Sequence, residues 1–467
     1  ALAKEVLEQG GEDREFIAAH TEGFDEFAAH VRSLDADQLA TESGVDRETI
    51  RRIARMYLEA KNVVIGWCMG ITHHLHGTEN VLSIANLALL RGMVGRSHAG
   101  LMPIRGHSNV QGLGTVGVTP ALKQAMLARF EERLGIEVPA SPGYDTMACM
   151  DAAERGEMKF ALCLGGNLYG SNPHARRAHE ALGKIDTVVY LSTTLNTGHA
   201  WGTGRDTLIL PVLPRDEESQ STTQESMFSY VRLSDGGKPR HAGPRSEVSV
   251  LAQLGQRLLG VDRRIDWEQM QSHAVLRELM ADLIPGYAGL KTIAGSGGEF
   301  HVPGRAVREY SFPTPTSRAK FHVVTPPGRP LQAGTALRLR LMTLRSEGQF
   351  NSVVYDEEDL YRGQERRDVI LMNAADLERL NLTADQRVCV RSAAGEMRYI
   401  LARPFDIREG NAAMYYPEAN VLVPASVDPL SKTPAFKSVM VDVTPEGSEL
   451  LDRSQETPAT ESAIVRD

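Results

Sequence analysis

The chain has 467 residues, of which 42% are hydrophobic and 24% charged, and its formal net charge is −9. This length exceeds one ordinary hydrophobic core and predicts two to four domains. The acidic balance excludes the basic face that nucleic-acid binding requires. The longest apolar run, Leu82 to Leu90, is too short to span a bilayer and predicts a buried helix.

The four cysteines are scattered at Cys68, Cys149, Cys163 and Cys389 and form no C-x-x-C pair. The pattern predicts no zinc or iron–sulfur framework and favours reduced, buried thiols, which indicates a reducing, cytoplasmic compartment. The chain opens on ALAKEVLEQGGEDREFI, which is typical of the middle of a domain. We therefore expect it to be the C-terminal part of a longer protein.

Residues 1–60 are predicted to be helical and to form the tail of a preceding α/β domain, because apolar residues recur there at helical spacing. From residue 61 to 215, short apolar strands alternate with glycine turns and helices, one of which should begin at Thr119 as N-cap. Such alternation predicts a parallel, doubly wound α/β sheet.

Residues 216–333 are irregular and polar around one predicted helix, and they end in a proline-rich linker. Short strands with turns between them then predict a compact C-terminal β-barrel over residues 334–445. The polar residues 446–467 are expected to form a flexible tail.

The stretch GHSNVQGLGTVGVTP contains Gly112, Gly114 and Gly117 in the G-x-G-x-x-G spacing of a dinucleotide-binding turn. A NAD or FAD site would need a strand directly before it, and PIRGHSNVQ is a poor strand. A glycine-rich loop without a ligand is the alternative. The neighbouring RGHSNVQG, however, offers an arginine, a histidine and amides, which favours a phosphate-bearing cofactor of another kind.

Five segments in order resemble the molybdopterin-dependent oxidoreductases of the dimethylsulfoxide reductase superfamily, most closely their formate-dehydrogenase-like alpha subunits. The segments are GWCMGITHHLHGTENVLSIANLALLRGMVGRSHAGLMPIRGHSNVQG, LCLGGNLYGSNP, LNTGHAWGTGRDTLILPVLPRDE, LRSEGQFNSVVYDEEDLYRG and YYPEANVLVPASVDPLSKTPAFK.

The resemblance implies a Rossmann-like α/β region that binds a molybdopterin guanine dinucleotide over residues 61–215, and a C-terminal β-barrel that binds the same cofactor. The cofactor implied is bis(molybdopterin guanine dinucleotide), bis-MGD, holding molybdenum or tungsten. The cofactor-binding residues implied are Gly66, Gly70, Arg105, Gly106, Asn109, Gln111, Gly112, Gly165, Gly166, Asn167, Arg345, Gln349, Asn351, Asn420 and Lys437.

Three other motifs each allow a functional and a simpler structural interpretation. The adjacent histidines of HHLHG suggest a metal site, but no fourth ligand is in view, so a polar loop is favoured. His199 suggests a proton-handling group, and a loop histidine is favoured. EEDLYRG, residues 357–363, suggests an acidic metal loop, and a solvated helix start is favoured.

The resemblance also implies a [4Fe-4S] cluster and a protein ligand to the metal, both before Ala1, so no catalytic residue is assigned and the chain is not expected to catalyse alone. The implied reaction is a two-electron oxidation or reduction of a small molecule such as formate, with an electron-transfer subunit as partner. Two alternatives stay open: a NAD- or FAD-linked dehydrogenase, and a non-catalytic scaffold that lost its cofactor.

Overall fold

The computed structural model describes residues 1–139, 141–260, 264–295, 298–305, 307–327 and 338–447. The chain divides into two compact units, of which unit 1 contains Ala1–Leu331, Asn351–Val354 and Ala425–Lys437, and unit 2 contains the rest. Part of the predicted linker and nearly all of the predicted tail lie outside the described residues. No helix in the described ranges is both long and apolar enough to cross a bilayer.

Unit 1 begins with helices, as predicted. Asp13, Asp35 and Asp46 each accept a hydrogen bond from a backbone N–H three residues on, which satisfies a donor that the first turn leaves unpaired. The elements are α1 (Leu2–Glu8), α2 (Arg14–His20), β1 (Thr21–Glu22), α3 (Phe24–Ser33), α4 (Ala36–Ser43) and α5 (Arg47–Glu59).

A two-stranded parallel sheet follows, in which Val64 pairs with Gly100 and Trp67 with Pro103. The elements here are β2 (Val64–Trp67), α6 (Met69–Thr72), α7 (Gly77–Leu90), β3 (Gly100–Pro103), α8 (Val110–Thr115) and α9 (Gln124–Leu134). The predicted helix start at Thr119 is wrong. The Thr119 hydroxyl closes a local turn by accepting from the N–H of Ala121, and the helix begins at Gln124.

A second, three-stranded parallel sheet has the order β4, β5, β6. Its elements are α10 (Thr146–Glu154), β4 (Phe160–Leu164), α11 (Leu168–Ser171), α12 (Ala175–Leu182), β5 (Thr187–Ser192), α13 (Gly198–Trp201) and β6 (Asp206–Pro211). One face packs on α10 and α12 through Val188 and Tyr190. The α/β class with parallel strands is confirmed, but the strands form two sheets and not the single sheet expected over residues 61–215.

The segment predicted as mixed contains more regular structure than its polar composition indicates. Its elements are β7 (Thr222–Glu225), β8 (Tyr230–Ser234), α14 (Glu247–Leu259), α15 (His273–Leu283), β9 (Phe300–His301) and β10 (Ala319–Lys320). Strands β7, β8 and β9 form an antiparallel sheet, and β10 pairs in parallel with β1. The sequence predicted α14 alone among these.

Unit 2 is a closed barrel with the strand order β11, β15, β12, β14, β13, β16, which confirms the predicted C-terminal barrel. Its elements are β11 (Leu339–Leu344), β12 (Val369–Met372), α16 (Ala374–Arg379), β13 (Gln386–Arg391), β14 (Glu396–Pro404), β15 (Asn411–Tyr415) and β16 (Val439–Pro445). The buried apolar residues of β12, for example Leu371, fill the barrel core. Closure leaves no unpaired strand edge.

Candidate functional site

The first loop cluster lies at the carboxyl ends of β2 and β3. The two loops meet where the N–H of Ile104 donates to the carbonyl of Trp67, at 2.8 Å. An added Cβ on Gly70 would meet no heavy atom within 4 Å, and one on Gly106 would meet only Met69 Cε at 3.5 Å. Arg105, which directly precedes Gly106, is exposed. These residues therefore border free space at the strand ends.

Gly66 and Lys437 lie beside this cluster. Gly66 is within β2, and an added Cβ would meet Met102 Cε at 3.2 Å. The space where a Gly66 side chain would stand is therefore already partly filled by Met102. The backbone N–H of Lys437 donates to the carbonyl of His73 at 3.1 Å, and the rings of Phe436 and His73 are 5.4 Å apart. The structure thus brings Lys437 next to α6.

Asp428 anchors the segment that carries Lys437. Its carboxylate is 1% exposed and accepts from the N–H and hydroxyl of Thr78, at 3.0 and 2.7 Å. It also accepts from the N–H groups of Leu430 and Ser431. Burial alone would raise the pKa of Asp428, but the donors from Thr78 and Ser431 hold it well below its usual range.

The second loop cluster lies at the carboxyl end of β4. Gly165 and Gly166 both adopt positive φ, at 66° and 72°, a region that favours glycine. An added Cβ on Gly166 would meet nothing within 4 Å. Asn167 follows and is 3% exposed; its Nδ2 donates to Thr197 Oγ1 at 2.8 Å and to the carbonyl of Ser352 at 3.0 Å. The predicted site residue Asn351 directly precedes Ser352 in the chain, so this hydrogen bond brings Asn351 near the second loop cluster.

The loop after β5 completes this cluster with residues that sequence reasoning did not assign. Asn196 Nδ2 donates to the carbonyl of Gly166 at 3.1 Å and so ties the two loops together. The Nε2 of His199 lies 3.1 Å from Ser192 Oγ. In the segment LNTGHAWGTG, the sequence singles out His199, whereas the amide of Asn196 makes the contact between the loops.

Two titratable groups border the second cluster. Burial lowers the pKa of His199, which favours a neutral ring near pH 7. Burial raises the pKa of Glu247, and its Oε1 would lie 4.0 Å from a Cβ on Gly165. Burial therefore moves the pKa of Glu247 towards neutral pH and the pKa of His199 away from it.

A buried network supports the stretch that contains Asn109, Gln111 and Gly112. Asn109 precedes α8 with a φ of 63°, and its Oδ1 accepts from the N–H of Glu225 at 3.0 Å. Gln111 and Gly112 are in α8 itself. The Glu225 carboxylate is paired with Arg305 and accepts from Thr115 Oγ1 at 2.7 Å and from the Tyr287 hydroxyl at 2.6 Å. Glu225 was missed because nothing in TTQE marks a buried charge.

The glycine motif is not a strand-to-helix turn. Gly112 and Gly114 are within α8, and the turn between β3 and α8 is formed by residues 104–109. A Cβ on Gly112 would lie 1.9 Å from Asn109 Oδ1, so the glycine leaves the space that the Asn109 side chain occupies against α8. The geometry therefore does not fit a nicotinamide or flavin fingerprint.

In unit 2, Gln349 closes a turn. Its Oε1 accepts from the N–H of Ser346 at 3.0 Å, and its Nε2 donates to the carbonyl of Tyr416 at 2.8 Å. The Arg345 guanidinium lies over the Tyr416 ring, 5.0 Å from its centroid. Asn420, in the short helical turn Glu418–Leu422, is fully buried. The structure thus brings Arg345 and Gln349 together around Tyr416.

Sequence reasoning missed Arg367, which is at the centre of this turn and is 4% exposed. It donates to Glu418 at 2.7 Å and to the carbonyl of Tyr416 at 2.7 Å, and its guanidinium lies 4.3 Å from the Tyr355 ring centroid. Among the many arginines of this segment, no sequence signal distinguishes it. Its contacts make it a structural support for the Arg345 turn.

Two sequence motifs, HHLHG and EEDLYRG, are candidates for a metal site. Within the described ranges, no group of three His, Cys, Asp or Glu side chains could hold a metal ion. His74 contacts the carbonyl of Gly70, and His76 contacts Glu79 at 2.7 Å. The predicted solvated helix start in EEDLYRG is wrong, because Asp359 is 1% exposed, pairs with Arg362 and accepts from the Tyr415 hydroxyl at 2.8 Å.

The cysteine prediction is correct only in part. All four thiols are free, but Cys389 alone is buried and the other three are half-buried. Burial raises the pKa of Cys163 to about 11, so this thiol stays protonated at neutral pH.

The loops of unit 1 fit a large, polar, phosphate-bearing ligand. Gly70, Gly106 and Gly166 leave free space where a side chain would stand, at the carboxyl ends of parallel strands. Ligands of open α/β sheets bind at such ends. Backbone N–H groups and the exposed Arg105 supply donors of the kind that phosphate and pterin edges accept.

Comparison with known proteins agrees with this geometry. Residues 34–211 match the molybdopterin oxidoreductase family model, and residues 339–440 match the molydopterin dinucleotide binding domain. An uncharacterized oxidoreductase of Mycobacterium tuberculosis is 34% identical over 454 residues, which are 93% of this chain and 58% of the relative. The chain thus spans about three fifths of the length of such relatives.

Two further proteins are similar over other extents. Formate dehydrogenase H of Escherichia coli is 31% identical over 198 residues, or 40% of this chain and 28% of that protein. The solved structure of acetylene hydratase from Pelobacter acetylenicus has the same fold, with a TM-score of 0.68 at 15% identity, over 95% of this chain and 69% of that one. With the two family matches and the shared fold, the chain belongs to the molybdopterin oxidoreductase family.

Proposed function

We propose that this chain is the C-terminal, cofactor-binding portion of a longer molybdopterin-dependent oxidoreductase, and that it binds bis-MGD holding molybdenum or tungsten. The observation that carries the proposal is the pair of glycine loops that border free space at the carboxyl ends of β2, β3 and β4. Both lie inside the region that matches the molybdopterin oxidoreductases.

In this proposal, the chain's residues hold and orient the cofactor. The N–H group of Gly166 and the Arg105 guanidinium would contact phosphate, since positive φ at Gly165 and Gly166 lets the backbone approach closely. The Gly165 N–H itself donates to the carbonyl of Leu191 at 2.8 Å and holds the loop against β5. Asn167 keeps its loop fixed through Thr197 and does not itself need to face the ligand. In unit 2, Arg345 and Gln349 would contact the second half of the cofactor, whereas Asn420 is fully buried and would not face it.

The bound group would supply the two-electron redox chemistry, and the protein would supply binding, orientation and electrostatics. Formate is the proposed substrate class, supported by the 31% identity with formate dehydrogenase H over 198 residues. A [4Fe-4S] cluster, a metal ligand and an electron-transfer partner are proposed for the part of the protein outside this chain. A nicotinamide or flavin enzyme is not favoured, because Gly112 and Gly114 are inside α8.

The test is cofactor loading of the whole natural protein, made in a host that synthesises molybdopterin cofactors. Molybdenum or tungsten is measured by elemental analysis, and guanosine monophosphate by acid hydrolysis and chromatography. We expect two guanosine monophosphates per metal. Protein with bound NAD or FAD, or protein that contains neither metal nor pterin, would overturn the proposal.

Gly70→Leu tests the location of the cofactor. Gly70 is in α6 and its side borders free space, so leucine should leave the fold stable while it fills the volume that the cofactor needs. We expect metal content to fall at least tenfold with little change in thermal stability. Gly100→Leu is the matched control, since Gly100 also borders free space but lies at the amino end of β3. Equal loading of both variants would contradict the assignment.

A further inference from the structure

The loop after β5 holds the loop after β4. Residues 193–197, here called the β5 loop, contain Asn196, whose Nδ2 donates to the carbonyl of Gly166 at 3.1 Å. Gly166 is the exposed centre of residues 165–167, here called the Gly166 loop, and has a φ of 72°. A glycine has more backbone freedom than any other residue, so the contact from Asn196 does much to fix its conformation. Whatever holds Asn196 therefore also orients the Gly166 backbone.

His199 holds Asn196. The Nδ1 of His199 accepts a hydrogen bond from the backbone N–H of Asn196 at 3.2 Å, and the Nε2 lies 3.1 Å from Ser192 Oγ. A backbone N–H can only donate, so Nδ1 carries the lone pair and Nε2 carries the proton. The ring therefore joins the end of β5 to the β5 loop as the neutral Nε2–H tautomer.

Protonation of the ring removes this connection. An imidazolium is a donor at both nitrogens, so a protonated Nδ1 would face the N–H of Asn196 donor against donor. Burial lowers the pKa of His199, which agrees with a ring that is held neutral. Among the residues that the structure describes, no carboxylate pairs with His199 to favour its charged form.

The tyrosines packed around the ring do not supply a charge either. The Tyr190 ring of β5 lies 5.0 Å from the His199 ring at an angle of 76°. Tyr169 of α11 lies beside Gly202, the residue after α13. Burial raises the pKa of both tyrosines, so both are neutral at neutral and acidic pH.

Two further titratable groups lie near α13 and behave differently from His199. His179 of α12 places its Nδ1 2.6 Å from the carbonyl of Trp201, so this nitrogen donates whether or not the ring is charged. Glu247 of α14 borders the Gly166 loop, and burial is the cause of the pKa shift in both Glu247 and His199. His199 is thus the group here whose hydrogen bond to the β5 loop requires the neutral form.

We propose that His199 is a positioning residue for the Gly166 loop, and that protonation of its ring releases Asn196 and weakens phosphate binding by that loop. Release of Asn196 frees the Gly166 carbonyl, and the Gly166 backbone can then turn its N–H away from the ligand. This inference rests on the proposed function, in which that N–H contacts phosphate. The loaded protein should therefore lose its cofactor more readily as the pH falls and His199 becomes protonated.

The first measurement is hydrogen exchange of the Asn196 N–H in the whole protein, resolved by mass spectrometry with fragmentation and corrected for the intrinsic rate at each pH. Because one hydrogen bond is lost, protection of this N–H should fall at least about fivefold between about pH 7.5 and about pH 5.5. His199→Asn places an amide oxygen where Nδ1 lies and does not titrate, so its protection should change less than about twofold. His199→Leu, which has no acceptor, should show the lower protection at both pH values.

His179→Asn is the matched control. It also removes a histidine beside α13, but one whose ring donates to a carbonyl and does not hold the β5 loop. Protection of the Asn196 N–H should depend on pH in this variant as it does in the wild-type protein.

The second measurement is the metal that the loaded protein retains after dialysis at the same two pH values, determined by elemental analysis. Wild-type protein and His179→Asn should lose several-fold more metal at the lower pH. His199→Asn should retain nearly equal amounts at both, because its contact with Asn196 does not titrate.

Three results would overturn the inference: protection of the Asn196 N–H that is independent of pH in the wild-type protein, protection that changes equally in His199→Asn, and equal metal retention at the two pH values despite a change in protection. Protein that contains neither metal nor pterin at either pH would instead refute the cofactor assignment. The exchange data would still decide whether His199 holds the β5 loop.

Discussion

The buried carboxylate of Glu225 offers the sharpest test of how α8 is held. Glu225→Gln keeps the size of the side chain and removes its charge. The hydroxyls of Thr115 and Tyr287 still find an oxygen to donate to, so those two hydrogen bonds remain. The ion pair with Arg305 is lost. The substitution therefore measures the cost of leaving a guanidinium without its carboxylate.

The expected cost follows from the burial of the two partners. The Glu225 side chain is 0% exposed and the Arg305 side chain 23%. Removal of one partner of a buried ion pair costs about 3–5 kcal/mol. Because water reaches part of the Arg305 side chain, we expect the lower end, about 3 kcal/mol of unfolding free energy. The double variant Glu225→Gln, Arg305→Met removes both charges and should recover most of this loss.

Urea unfolding followed by circular dichroism is the assay, because urea, unlike guanidinium, does not screen charges. Glu299→Gln is the matched control: it breaks the exposed pair with Arg232, in which the side chains are 31% and 57% exposed. That control should change the unfolding free energy by less than about 1 kcal/mol. If Glu225→Gln were no more destabilising than Glu299→Gln, the reasoning about burial would be refuted.

Two further predictions concern the loop clusters. Asp428→Asn should lower the unfolding free energy by about 2 kcal/mol, because it weakens charge-assisted bonds from Thr78 and Ser431; an unchanged urea midpoint would contradict this. Burial lowers the pKa of His199, so the unfolded chain binds more protons as the pH falls through about 6.5, the ordinary value. Wild-type protein should therefore lose more stability between about pH 7 and pH 5 than His199→Gln, and equal losses in the two proteins would argue against it.

The sequence predicted most of the fold, because alternation of apolar strands with helices is a local signal. It could not predict that the strands before and after residue 140 belong to separate sheets, since strand pairing depends on contacts between distant residues. It also missed α15 and the β7–β9 sheet, which are short or amphipathic elements inside a polar segment.

For the site, glycine and amide patterns were sufficient to indicate the loops, but not the residues that support them. Asn196 joins the loops after β4 and β5 through one amide, and Arg367 supports the Arg345 turn from inside unit 2. Asn196 lies in one of the family-like segments, but nothing there marks its amide, and Arg367 lies in no motif; the partners of both residues are brought close only by the fold. Such contacts leave no periodic or compositional trace in the sequence.

The glycine motif has a structural role in α8 that differs from the role of a dinucleotide-binding turn. Gly112 has no Cβ, so the Asn109 side chain can lie against α8 and accept from the N–H of Glu225. The carboxylate of the same Glu225 holds Thr115 at the other end of α8. The helix is thus fixed at both ends by one residue of β7, and the loop of residues 104–109 is fixed with it. If Arg105 and Gly106 bind the cofactor as proposed, its loading should therefore depend also on Glu225, although the Glu225 side chain is 0% exposed.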